Sequence, residues 1–322
     1  MPRLLADVGG THARFALQSA DGTIAAPQVL ATADYPDPVA AIRHYLAAVG
    51  ASGVRDAAIA IANPVDGDAI RMTNHPWAFS IEATRAALGF DTLLVLNDFT
   101  ALALALPWLD AGELLAIGGG ERRPNATIGL LGPGTGLGVS ALVRCGERWQ
   151  ALSSEGGHAS FAAVDDREAA ILAIVRRSYP HVSCERLMSG PGLALIHDAL
   201  RVHHRLPAET ITPAALSARA QSGECAVCAE ATQVFSGMLG SFAGSLALIL
   251  GSFGGVYLGG GVIAGLGDAF DRGFFRSRFE AKGRFAGYLA GIATVQIVAA
   301  NPALRGVSAA LAAHLGSRSL SN

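Results

Sequence analysis

Asn97 and Asp98 stand side by side at the end of an apolar run. Their side chains have the chemistry of a general base and a neighbour that fixes a hydroxyl. A carboxylate about 3 Å from a hydroxyl can take its proton as the oxygen attacks a phosphoryl group. An adjacent amide can both donate to and accept from that hydroxyl. The same pair also suits a helix N-terminus, where Asp is a favoured cap and a carboxylate meets the helix dipole. A second group lies in Ser154-Glu155-Gly156-Gly157-His158. Glu, two glycines and His in so short a loop suit a polyol, although exposed loop residues of these types are usually just solvated. Glu185, in Ser183-Cys184-Glu185-Arg186, joins this set or simply compensates the dipole of the helix it opens.

Two glycine–threonine turns add phosphate chemistry. Gly9-Gly10-Thr11 and Gly134-Thr135-Gly136 each follow an apolar strand pattern and precede another. Glycine lets backbone N–H groups approach phosphate oxygens, and a threonine hydroxyl adds a donor. Each turn joins two strands, so neither is a Walker or dinucleotide loop, which opens a helix. One such turn alone reads as an ordinary hairpin. Asp7, just ahead of Val8 and the first turn, can hold Mg²⁺ against ATP phosphates or cap its own hairpin. Gly259-Gly260-Gly261 lies between an apolar strand and a helix, where backbone passing close to a flat adenosine needs small residues.

The elements that position these residues repeat. Gly10 and Gly134, Thr11 and Thr135, and Gly22 and Gly146 are each 124 positions apart. In the first copy strands are expected at Arg3–Val8, His12–Gln18 and Ile24–Leu30, with the turn Asp21-Gly22. A helix opened by Asp37-Pro38 follows. A strand at Ala57–Ala62, a helix at Ile81–Leu88, a strand at Thr92–Leu96 and a helix from Phe99 to Pro107 complete this copy. In the second copy strands are expected at Thr127–Leu131, Leu137–Arg144 and Arg148–Leu152. A helix from Asp166, with the capping box Asp165-x-x-Glu168, comes next. The second copy then carries a helical insertion over roughly 183–250 and resumes at Val256-Tyr257-Leu258. The final helix, Ala303–Leu315, is expected to return to the first copy. Internal repetition of this kind governs the fold assignment. The reading is α/β, with residues 1–107 plus 301–322 as a smaller domain and 108–300 as a larger one. Two facing hairpins would form a ligand cleft between such domains, with hinges near Pro107 and Asn301-Pro302.

Composition excludes several classes. The 322 residues carry a net charge of −2, which offers no surface for nucleic acid or anionic lipid. Lys282 is the single lysine and lies in no Walker, protein-kinase or Schiff-base context. Four cysteines are too few for a disulfide scaffold. Cys225-x-x-Cys228 has no second ligand pair nearby in sequence and reads as buried helix residues. Residues 231–267 carry no charge, but glycines interrupt them, so a buried helix, strand and loop are expected rather than a membrane span. No apolar leader precedes Asp7, and a cytoplasmic place is expected.

The series of motifs resembles the bacterial glucokinase family. Asp7-Val8-Gly9-Gly10-Thr11 resembles its first phosphate motif, and Met72-Thr73-Asn74-His75 with Trp77-Ala78-Phe79-Ser80 a run peculiar to it. Leu96-Asn97-Asp98-Phe99 resembles the catalytic segment. Gly134-Thr135-Gly136, Glu155-Gly156-Gly157-His158, Ser189-Gly190-Pro191-Gly192 and Gly259-Gly260-Gly261 follow in the family's order. The resemblance implies a duplicated actin-like (ribonuclease H-like) ATPase fold that makes glucose 6-phosphate from glucose and Mg-ATP. Asp98 would be the base on the 6-hydroxyl, and Asn97, Glu155, His158 and Glu185 would hold the other hydroxyls. Asp7 through Thr11, Gly134 through Gly136 and Gly259 through Gly261 would meet ATP, with Mg²⁺ at Asp7. A homodimer is expected, and no nucleic acid or membrane partner. His12 stands where the family usually has Asn. Other actin-like kinases, and a sugar sensor without catalysis, are the competing readings. The hydroxyl-binding set favours a polyol over acetate, and retention of both Asp7 and Asp98 favours an enzyme.

Overall fold

Alternating and continuous apolar runs on either side of the first glycine turn form a meander in the computed structural model, which describes residues 1–318. β1 (Arg3–Val8), β2 (His12–Gln18) and β3 (Ile24–Ala31) pair antiparallel, with Asp7 opposite Arg14. Gly22 closes the β2–β3 turn at φ +90°, a conformation that favours glycine. α1 (Pro38–Ala48) starts where the Asp37 carboxylate accepts from Ala40 N at 2.8 Å, with proline in its first turn. Then follow β4 (Asp56–Ile61), the small hairpin β5 (Ala69–Arg71) and β6 (Ala78–Ser80), α2 (Ile81–Leu88), β7 (Thr92–Asn97) and α3 (Asp98–Ala105). The sheet order is β3-β2-β1-β4-β7, with β1, β4 and β7 parallel.

Residues Asp110–Val298 form a second compact unit. It contains β8 (Leu114–Gly118), β9 (Ile128–Pro133), β10 (Leu137–Cys145), β11 (Arg148–Ser154) and α4 (Asp166–Val175). A helical layer follows: α5 (Cys184–Leu187), α6 (Gly190–His203), α7 (Pro213–Gln221) and α8 (Ala226–Leu250). β12 (Val256–Leu258), α9 (Gly261–Leu266), α10 (Arg272–Glu280), α11 (Ala286–Ala290) and β13 (Thr294–Ile297) complete the unit. Its sheet runs β11-β10-β9-β12-β13-β8. Apart from the added edge strand β8, this is the path of the first sheet, so the 124-residue offset marks a structural duplication. Three antiparallel strands feeding two parallel ones, twice over, is the actin-like ATPase arrangement. The chain then returns to the first unit as α12 (Ala303–Arg318).

Each sheet is covered on both faces. In the first unit Phe15, Tyr45 and Trp77 fill one side. On the other, Leu5, Ala16, Ala58 and Ala60 meet Ala101 of α3 and Leu304, Val307 and Leu311 of α12. In the second unit α8 is the central helix, with Phe235, Met238, Leu239 and Ala243 fully buried. The first part of the long uncharged segment is thus a core helix, which ends at Leu250 and is stopped by Gly251 at φ +62°. α8 is also apolar and long enough to cross a bilayer by length and composition.

Candidate active site

On the first unit, parallel strands β1, β4 and β7 bring Asp7, the loop after Ile61, and Asn97-Asp98 to one sheet edge. Carboxyl ends of parallel strands are where open α/β sheets receive ligands. Asn97 caps α3: its Oδ1 accepts from Phe99 N at 2.9 Å and Thr100 N at 3.1 Å. Its Nδ2 donates to the Asn63 carbonyl at 3.3 Å. The amide oxygen is therefore occupied, and toward a ligand Asn97 is a donor, not the donor and acceptor its sequence position suggested. Asn63 is itself held, accepting at Oδ1 from Thr73 N at 3.0 Å and Thr73 Oγ1 at 2.9 Å. Asn63 and Thr73 are positioning residues that sequence spacing did not connect to Asn97.

Asp98 accepts from Phe99 N at 2.9 Å. Its pKa is raised to about 6: burial is the main cause, the Phe99 N–H opposes it, and the charge of Asp7 adds to it. Asp7 is likewise raised by burial, against the Arg14 guanidinium 3.6 Å away. Two half-buried carboxyl groups, one shifted by the charge of the other, offer an all-oxygen donor set, which suits a hard dication such as Mg²⁺.

The first glycine turn is fastened from its carbonyl side. Thr32 Oγ1 donates to Gly10 O and Thr32 N donates to Thr11 O, both at 3.0 Å. A β-carbon on Gly10 would sit 2.9 Å from the Asn74 carbonyl oxygen, so this position must stay glycine. Gly9 N is committed to His12 O at 2.9 Å. Val8 packs in the core and its carbonyl accepts from Ala62 N at 3.0 Å. The exposed tip is Thr11.

On the second unit, the turn between β9 and β10 is one residue tighter: Gly134 N is committed to Gly136 O at 2.8 Å, and Thr135 is exposed at its tip. Glu185, at the start of α5, accepts from Leu137 N at 2.9 Å and lies against Gly136, where a β-carbon would collide with its carboxylate. Gly190 N, in the first turn of α6, donates to the Gly134 carbonyl at 2.8 Å. Glu155, His158 and Glu185 come together: His158 Nε2 lies 3.9 Å from Glu155 Oε2 and 3.8 Å from Glu185 Oε1. His158 and Glu155 remain about 60% exposed (60% and 61%), open to a ligand. Gly156 and Gly157 pack against β10, and a side chain on Gly157 would strike the Leu137 carbonyl.

A pocket of about 220 Å³ opens beside this group, lined by Thr135, Tyr179, Glu185, Arg186, Ser189 and Asp198 among others. Of the three glycines after β12, Gly259 N continues the sheet by donating to Leu131 O at 2.9 Å. Gly260 has φ +88° and packs on Pro133, which gives it a structural reason to be glycine. Only Gly261 faces open space.

Residues 4–314 match the family described as Glucokinase. The chain is 54% identical over 318 residues to a glucokinase of Chromobacterium violaceum, covering 99% of this chain and 91% of that protein. It is 57% identical over 319 residues to the Bifunctional protein glk of Burkholderia thailandensis, covering 98% of this chain but 50% of that protein. The chain thus spans about half the length of the first of the curated relatives it matches. Among solved structures, a glucokinase from an Antarctic psychrotroph superposes with a TM-score of 0.87 at 37% identity, covering 97% of this chain and 99% of that one.

Proposed function

This chain belongs to the glucokinase family, and from that premise we propose that it transfers the γ-phosphoryl group of ATP to the 6-hydroxyl of D-glucose, giving glucose 6-phosphate and ADP. The observation that carries the reading is Asp98: a half-buried carboxylate with a pKa near 6 at the carboxyl end of a parallel strand. That value is basic enough to accept a hydroxyl proton and low enough to be ionised at neutral pH. Asp98 takes the 6-hydroxyl proton as the oxygen attacks phosphorus and the bond to the ADP oxygen breaks. Asn97 donates to one sugar oxygen. Glu155 and Glu185 accept from sugar hydroxyls, and His158 completes the set.

Gly10 and Thr11 on the first unit, and Thr135 and Gly136 on the second, are proposed to meet the phosphates. Gly9 and Gly134 shape those turns, and Val8 sets their position. The pocket beside Thr135 and Glu185, with Gly259 through Gly261, is proposed for the rest of the nucleotide. Asp7 would hold Mg²⁺, which supplies charge neutralisation on the transferring group. A homodimer and a cytoplasmic place are also proposed. The test is a coupled assay of ADP release over a panel of hexoses, polyols and acetate. Turnover greatest with glucose supports the proposal; turnover with acetate alone, or none with any sugar, overturns it.

A further inference from the structure

The structure closes a cluster that the sequence kept apart. Cys225 and Cys228 lie at the start of α8, and His197 lies on α6, which packs against it. One ring nitrogen of His197 and the two sulfurs lie within 4.8 Å of one another. All three residues are buried, His197 and Cys228 completely. His197 Nδ1 lies 3.4 Å from the Asp198 carboxylate, whereas Nε2 has no hydrogen-bond partner among the described residues. An orphaned imidazole nitrogen in a dry interior is costly. Nothing in the phosphoryl-transfer reading uses His197, Cys225 or Cys228.

We propose that His197 Nε2, Cys225 Sγ and Cys228 Sγ bind one borderline-soft divalent cation of the Zn²⁺ class, which staples α6 to the start of α8. The donor types fit: imidazole and thiolate are the ligands such an ion prefers. Zinc–sulfur and zinc–nitrogen bonds of about 2.3 and 2.0 Å put ligands roughly 3.5–3.8 Å apart, so the cluster closes by about 1 Å of side-chain rotation. The charge fits as well. Two thiolates neutralise a dication, whereas a monovalent soft ion would leave net negative charge in the interior. The surroundings fit too: the Asp198 carboxylate, 3.4 Å from Nδ1, is placed to take the proton on that nitrogen and leave Nε2 as the free lone pair, as carboxylates behind metal-bound histidines do. Cys225 Sγ already accepts from Cys228 N at 3.2 Å, and both sulfurs sit at the N-terminus of a 25-residue helix, where negative charge is favoured. Arg219, paired with Glu209, lies near both cysteines. Binding releases the two thiol protons, and no oxidant or reductant is needed. The fourth coordination position is left to a non-protein ligand.

The test uses the purified full chain, reduced and stripped with a chelator. Co²⁺ is the optical probe and Zn²⁺ the competing ion. The expected result is one equivalent of Co²⁺ giving a thiolate-to-cobalt charge-transfer band, displaced by one equivalent of Zn²⁺, with a higher Tm in the zinc form. Cys228→Ser and His197→Gln should abolish the band. Asp198→Asn should weaken binding about tenfold, and Cys145→Ser, at an exposed cysteine, should change nothing. No band with the reduced wild-type chain overturns the proposal even if the variants fail to fold. So does a band that survives Cys228→Ser, a chain that binds only Cu⁺, or a Cys225–Cys228 disulfide whose reduction restores no metal binding.

Discussion

Asp98 shares the carboxyl edge of the first sheet with Asp7, and the charge of Asp7 adds to what burial does to the Asp98 carboxyl. If Asp98 is the base, kcat/KM falls on the acid side with an apparent pKa near 6, because the protonated carboxyl cannot accept. A pH–rate profile from pH 5 to 9 reads this directly. A profile flat down to pH 5 removes Asp98 from the proton transfer.

Asp98→Asn should separate activity from stability. Turnover should drop by about 10²–10⁴ while glucose still binds. Stability should move the other way. A carboxyl whose folded pKa is about 6, against 3.8 unperturbed, favours folding below the unfolded value and loses that contribution as pH rises through the folded one. At pH 8 the variant should therefore be more stable by about 1–2 kcal/mol, with the gain shrinking as the pH falls from 6 toward 4. Denaturant unfolding at three pH values checks the sign; a loss of stability at pH 8 would make Asp98 chiefly a helix-capping residue.

Gly136→Ala should displace Glu185 without unfolding the chain, since the obstructing atom is the end of a flexible side chain. The expected signature is a rise in KM for glucose and little change in Tm. Unchanged sugar affinity, with the variant folded, would take Glu185 out of the sugar site.

Asn97 and the two glutamates should distinguish fluorinated sugars. Asn97 offers only N–H toward a ligand, because its oxygen is bound to Phe99 and Thr100. A C–F group accepts weakly and cannot donate. Replacing the hydroxyl that meets Asn97 should cost little, whereas replacing one that donates to Glu155 or Glu185 should lose roughly 1.5–3 kcal/mol. A set of singly fluorinated glucoses that all bind equally would refute this division.

Gly306→Ala tests how α12 supports α3, the helix that Asp98 opens. A β-carbon there would overlap the Ala101 carbonyl of α3. Overpacking of this kind costs typically 1–3 kcal/mol, read as a lower denaturant midpoint. An unchanged midpoint would mean that the two helices part easily.

The duplication was legible because turns announce themselves. Glycine, threonine and the Asp21-Gly22 signal recur at a fixed offset, and alternation marks the strands around them. α2 and β12 have the bounds their apolar runs and breakers imply. The short strands β5, β6 and β8 were not read, since three to five residues carry too little periodicity against turn-rich surroundings. Side-chain pairings across the fold were also beyond reach. Glu185 meets Leu137 from 48 positions away, and Asn97 meets Asn63 from 34. Cys225-x-x-Cys228 looked like plain core because His197 approaches from another helix.

The first unit is discontinuous, and this sets an order of assembly during synthesis. Residues 1–109 leave the ribosome before the helix that covers the back of their sheet, while the second unit is contiguous and can finish in between. For all that time the face destined for α12 lacks that cover. It presents Leu5 beside Ala16, Ala58, Ala60 and Ala101, with Ile24, Leu94 and Leu96 packed around them. Those larger side chains leave apolar area open to other unfolded chains until α12 arrives. The return of the chain that completes the first unit thus also fixes the stage of synthesis at which its sheet is least protected.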